Sequence, residues 1–105
     1  MELNNQNPTR IEIPPELKEL VPAYLHRREG DVWSLRSFVG AKDFKSIKML
    51  AHKLKGNGSS FGFDKISELG GLMMQASDSK DENEISRLIV ELQNQINQIK
   101  SQNNF

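Results

Sequence analysis

The sequence predicts an all-α protein, an antiparallel up-and-down four-helix bundle with a short additional helix. Three observations carry this. Between residues 14 and 100, apolar side chains recur at spacings of three and four, the period of a helix that buries one face. The apolar–polar alternation of a half-buried strand is nearly absent. The breaks between periodic segments are short, and short connections join helices that run antiparallel.

The elements follow in order. "PPELKELVPAYLHRRE" places Leu17, Leu20, Val21, Tyr24 and Leu25 on one stripe. Pro15 suits a first helical position, where the missing amide is no loss. Pro22 removes a donor and clashes one turn back, so either a short first turn precedes the main helix or the helix kinks there. "DVWSLRSFVGAKD" reads as the short helix, capped by Asp31 and ended by Gly40, with Val32, Leu35, Phe38 and Val39 apolar. Asp43 caps the next helix, where Phe44, Ile47, Ala51, Leu54, Gly58 and Phe61 share a side at about 100° per residue. "DKISELGGLMMQAS" carries Ile66, Leu69, Met73 and Ala76 at helical spacing. The last segment opens on a capping-box pattern, Ser79 to Glu82, and repeats Ile85, Leu88, Leu92, Ile96 and Ile99 near a heptad seam. Residues 1–13 and 101–105 are polar and aperiodic, and are expected to be tails around one domain of residues 14–100.

Composition excludes several functions. The 105 residues carry 14 basic and 14 acidic side chains, so bulk electrostatic binding of nucleic acid is not expected. The absence of cysteine removes disulfides, thiolate metal sites and cysteine nucleophiles. No apolar run reaches the roughly 20 residues that cross a bilayer, and "MELNNQNPTR" lacks the layout of a signal peptide. The expectation is a soluble, cytoplasmic monomer with no membrane or nucleic-acid partner. No His, Asp or Glu stands three or four residues from His52, so a metal site is not expected either.

"AHKLKGNGSSFGF" (51–63) holds the candidate chemistry. Lys48, His52, Lys55 and Ser59 are spaced by four, three and four, which makes them neighbours on the helix side away from the core stripe. A neutral imidazole there has a free nitrogen lone pair and is a competent nucleophile near neutral pH. The lysines would attract an anion, a phosphoryl group in particular. Propensity argues for a helix that stops near Lys55, because each interior glycine costs about 1 kcal/mol against alanine. The other reading continues the helix and gives each glycine a use. Gly56, one turn past His52, would let a partner's surface reach the imidazole. Gly58, on the core stripe, would let a neighbouring helix come close, and Gly70 could serve the same packing. His26, near the end of the first segment, is assigned no chemistry.

The stretch resembles the signature of histidine-containing phosphotransfer (HPt) domains: a histidine, any residue, an apolar residue, Lys-Gly, small residues, then Gly before an apolar residue. Here these are His52, Leu54, Lys55, Gly56, "NGSS", Gly62 and Phe63. The likeness extends from about Asp31 to Ser77 and includes "DFKSIKMLA" and the Leu69-Gly70 step. It implies an antiparallel four-helix bundle with the histidine exposed midway along a helix that runs through the glycines. It also implies a phosphorelay carrier, not an enzyme in its own right. His52 would accept a phosphoryl group from the aspartyl phosphate of a response-regulator receiver domain and pass it back or onward. Lys55 and Lys48 would offset charge on the phosphoryl oxygens. Met49, Gly56, Ser59 and Ser60 would face the partner. A hybrid histidine kinase is a further partner the resemblance allows. No cofactor of the chain's own is implied, since the receiver supplies the divalent metal. One position departs from the pattern. Several family members place a glutamine on the following helix, facing the histidine; Met74 stands at the matching place here and Gln75 one residue later, so Gln75 is only a candidate second-helix contact.

The competing reading is a non-catalytic helical adaptor that binds a signalling partner without carrying phosphate; such a protein would tolerate loss of His52. A hydrolase built on Ser59 or Ser60 has little support, because no carboxylate is placed to orient the histidine and no nucleophile elbow is present.

Overall fold

The computed structural model describes residues 11–104. A 3₁₀ helix at Pro15–Leu20 leads into α1 (Val21–Gly40), followed by α2 (Phe44–Ser60), α3 (Asp64–Asp78) and α4 (Glu82–Asn103). Each helix packs on its neighbours in sequence, and α4 closes the ring against α1. The result is the four-helix bundle expected, with no strand among the described residues. The first ten residues of the expected N-terminal tail lie outside the described residues. Ile11 and Ile13, also assigned to that tail, pack against the core, and the Ile11 amide donates to Gln102 Oε1 at 2.8 Å. At the other end α4 continues to Asn103, into the segment expected as a C-terminal tail.

The short additional helix is not where the sequence placed it. Pro22 sits in the first turn of α1, where its missing amide leaves nothing unpaired, and the 3₁₀ helix before it is the short element. α1 then runs without a break through Gly30 and Asp31. Asp31 is therefore no cap; its carboxylate accepts from Arg28 Nε at 2.7 Å one turn back. Leu25, Val32 and Leu35, on both sides of Gly30, are all buried on one stripe. Burying such side chains contributes about 1.5–3 kcal/mol each, which outweighs the ~1 kcal/mol that Gly30 costs the helix.

The three turns between the long helices are copies of one design. In each, a left-handed residue follows the helix: Lys42 (φ 54°), Gly62 (φ 77°) and Lys80 (φ 54°). The next amide reaches back across five residues, Asp43 to Phe38 O, Phe63 to Gly58 O, and Asp81 to Ala76 O, at 2.8–2.9 Å. The left-handed residue itself bonds across three, and this pair of bonds satisfies the last free carbonyls of the helix. The residue that completes each closure is also the N-cap of the next helix. Gly40 is thus the last helical residue and not the stop. Likewise Asp81, and not Ser79, caps α4, by accepting from the Glu84 amide at 3.1 Å.

The core lies along the bundle axis. Its largest members include Tyr24, Leu25 and Leu35 of α1, Ile47 and Leu54 of α2, and Leu69 and Met73 of α3, with Leu88, Leu92 and Ile96 of α4. The stripe read on α2 is buried at Ile47, Ala51, Leu54 and Gly58; Phe44 and Phe61, at its ends, are half-buried.

Candidate functional site: the groove beside His52

α2 is held so that its middle stays fixed while one face stays open. At its start Asp43 accepts from the Ser46 hydroxyl at 2.7 Å and the Ser46 amide at 3.1 Å. Those hydrogen bonds, the hydroxyl's first, hold the Asp43 carboxyl below the usual carboxylate range. The helix then passes through Gly56 and Gly58 and ends at Ser60, with Gly62 as the left-handed residue of the turn that follows. Tertiary contact decides this. A Cβ on Gly58 would stand 2.6 Å from the Ser67 nitrogen, and one on Gly70 would stand 2.6 Å from both the Ala51 oxygen and the Lys55 nitrogen. The backbones of α2 and α3 touch where neither glycine has a side chain, and the Ser67 hydroxyl donates to the Lys55 carbonyl at 2.9 Å.

α1 secures the far half of α2. The Tyr24 hydroxyl donates to Asn57 Oδ1 at 2.7 Å, and its ring lies 4.2 Å, centroid to centroid, from that of Phe61. Burial pushes the Tyr24 phenol above its ordinary range, and the Arg28 guanidinium 4.6 Å from the ring centroid works the other way. Asn57 in "KGNGSS" is thereby a structural residue, which the linear sequence gave no means of seeing.

His52 lies midway along α2 and is exposed. It lines an open groove of about 410 Å³ together with Lys45, Lys48, Met49, Lys53 and Met74. Two of the lining side chains are thioethers and three are lysines, which make the surroundings of the imidazole cationic. Lys48 Nζ is engaged by Asp78 Oδ1 of α3 at 2.8 Å. Among the described residues no ion pair involves the ammonium groups of Lys45, Lys53 or Lys55. An open pocket with lysines beside an imidazole can receive an anionic group and present it to the ring nitrogen.

The predicted site residues divide into two sets. His52, Lys48 and Met49 share the groove. Lys55, Gly56, Ser59 and Ser60 are exposed on the turns that follow and do not line it. The Ser60 hydroxyl turns back to the Gly56 carbonyl at 3.1 Å. A Cβ on Gly56 would meet nothing within 4 Å, so that surface is open. From α3 the groove takes Met74; Gln75 is exposed outside it, because a one-residue step turns a side chain by about 100°. Lys45 and Lys53 were missed in the sequence. Lys45 was legible, since it stands seven residues before His52 on the same helical face, whereas Lys53 enters the rim only through the shape of the folded surface.

A four-helix bundle that holds one histidine at mid-helix, exposed in a lysine-rimmed groove, defines a class: a helical carrier that offers an imidazole to a visiting group. The model of the Hpt domain family matches residues 12–102, and the chain belongs to that family. No curated protein and no solved structure matches it. The family serves histidine phosphotransfer in two-component signalling, as phosphoryl carriers that meet receiver domains and histidine kinases. Among the described residues no helix is long and apolar enough to cross a membrane.

Proposed function

We propose that this chain is a phosphorelay carrier in which His52 accepts a phosphoryl group from the aspartyl phosphate of a receiver domain and returns it or hands it on. The observation that carries this reading is the exposure of His52 at the middle of α2, in an open groove whose rim is cationic. Nε2 of the neutral ring attacks phosphorus in line, the N–P bond forms, and the P–O bond to the aspartate breaks. The carboxylate leaves with the electron pair, and the ring keeps its proton on Nδ1. Phosphoryl transfer is largely a matter of positioning and charge. Lys55 and Lys48 offset charge on the phosphoryl oxygens, with Lys45 and Lys53 adding to the local potential. Lys48 does so while shared with Asp78. The receiver supplies the divalent metal, and the carrier works as a soluble cytoplasmic monomer. Met49, Gly56, Ser59 and Ser60 form the surface the receiver meets.

The test is incubation with phosphorylated receiver domains from the same cell. Acid-labile, base-stable phosphate on this chain, lost in His52→Ala, is the expected result. Label that persists in His52→Ala, or none from any of the cell's receivers, overturns the reading and leaves the adaptor.

A further inference from the structure

The chain has four methionines, of which Met49, Met73 and Met74 are described. Their placement is uneven. Met73 is sealed in the core at 0% exposure. Its chain neighbour Met74 is half-buried and opens on the groove, and Met49 is 57% exposed in the same groove, three residues before His52. Among the described residues, large apolar side chains exposed to that degree are few, the others being Leu20, Trp33 and Val90, none of which lines this groove. Among the described residues, the thioethers that solvent can reach therefore line the groove that His52 lines, while the one sealed in the core does not.

We infer that Met49, and Met74 after it, form an oxidation-sensitive site that governs access to His52. A peroxide is the oxidant. The methionine sulfur attacks one peroxide oxygen, the O–O bond breaks, an S–O bond forms and water leaves; the sulfur loses two electrons and the peroxide gains them. The product is a polar, chiral sulfoxide in place of an apolar, deformable side chain. At the apolar centre of a transient interface that exchange removes contact area and leaves a strong acceptor to be desolvated against the partner. Oxidation of Met49 leaves the core as it is, because Met49 is exposed and the sealed Met73 is the one peroxide reaches last; Met74, which packs partly on the core, comes between them. The inference rests on the phosphorelay reading, whose docking surface it regulates.

The experiment uses the full chain and hydrogen peroxide, with tryptic mapping and two phosphoryl donors. Met49 falls in the peptide 49–53, and fragmentation of the peptide 66–80 separates Met73 from Met74. Oxidation in the order Met49, Met74, Met73 is expected. Transfer from a phosphorylated receiver then slows on the order of tenfold, while labelling of His52 by phosphoramidate, a donor too small to need the docking surface, stays unchanged. In Met49→Leu with Met74→Leu, the transfer rate after peroxide equals that variant's own rate before it, and Met49→Gln, a permanent polar replacement at an exposed position, is slower than the parent without peroxide. The inference is overturned if Met73 oxidises as fast as Met49, if oxidised protein accepts from the receiver at the untreated rate, or if the double leucine variant loses transfer equally. Failure of the phosphorelay reading is distinct: untreated protein then takes no phosphate from any receiver.

Discussion

Gly56 and Gly70 receive the same substitution and should answer with opposite signs. Both lie inside helices, so alanine at either gains about 1 kcal/mol of intrinsic helix propensity. At Gly56 nothing lies within 4 Å of the added Cβ, and the gain stands alone. At Gly70 the Cβ would meet two backbone atoms at 2.6 Å, where ordinary contact begins at 3.4 Å, so α2 and α3 must part by about 0.8 Å locally. No rotamer relieves a backbone clash. Overpacking of this kind costs about 1–3 kcal/mol, and the helices that separate also loosen Ala51 against α3. Taking the upper half of that range against the propensity gain leaves Gly70→Ala about 1–2 kcal/mol less stable. For a domain of this size each kcal/mol moves Tm by about 4–8 °C. Gly56→Ala should therefore raise Tm by about 4–8 °C and Gly70→Ala lower it by about 4–16 °C, read by far-ultraviolet circular dichroism. A lowered Tm for Gly56→Ala would mean that α2 does not run through that glycine. An unchanged or raised Tm for Gly70→Ala would mean that the two backbones do not touch there.

Two further outcomes test the turns and caps. Lys80 holds a left-handed conformation that costs a residue with a Cβ about 1–2 kcal/mol, partly offset by the entropy glycine loses on folding; Lys80→Gly should stabilise the chain by about 0.5–1 kcal/mol, seen as a higher urea midpoint at unchanged slope. Asp43 has its carboxyl held low in the fold, so the unfolded chain binds the proton more readily; its contribution is present above the ordinary carboxylate range and is lost as pH falls through the folded value. Asp43→Asn keeps a capping oxygen but cannot titrate, and its urea midpoint should fall less between about pH 6 and pH 3 than the parent's. The slope should not vanish, since Glu84, lowered mainly by its hydrogen bond to Arg87, behaves alike. An identical pH profile for the two proteins would refute the assignment.

Much of the bundle was legible because amphipathic periodicity reports burial directly. The stripe through Ile47, Ala51 and Leu54 predicted which side of α2 faces inward, and hence that His52 faces out. Helix boundaries were less legible. Asp31 and Ser79 have capping side chains, yet Asp31 lies inside a helix and Ser79 at the end of one, because local capping chemistry states what a residue can do and not whether a buried stripe runs on past it. The left-handed stops at Lys42 and Lys80 were hidden for a related reason: lysine gives no sign of that conformation, and the bonds across the turn compensate for its strain.

The linear chain by itself determined the helical class, the inward faces and the exposed imidazole, since each follows from the spacing of side chains along a single helix. Which reading of the glycines holds was decided only by packing: Gly58 and Gly70 meet a neighbouring backbone, Gly56 meets none, and identical residues along a sequence carry no mark of what will stand opposite them. The groove was decided in the same way. Met74 joins Met49 beside His52, and Asp78 takes hold of Lys48, because α3 lies close against α2; contacts between separate helices exist only once both backbones are in place.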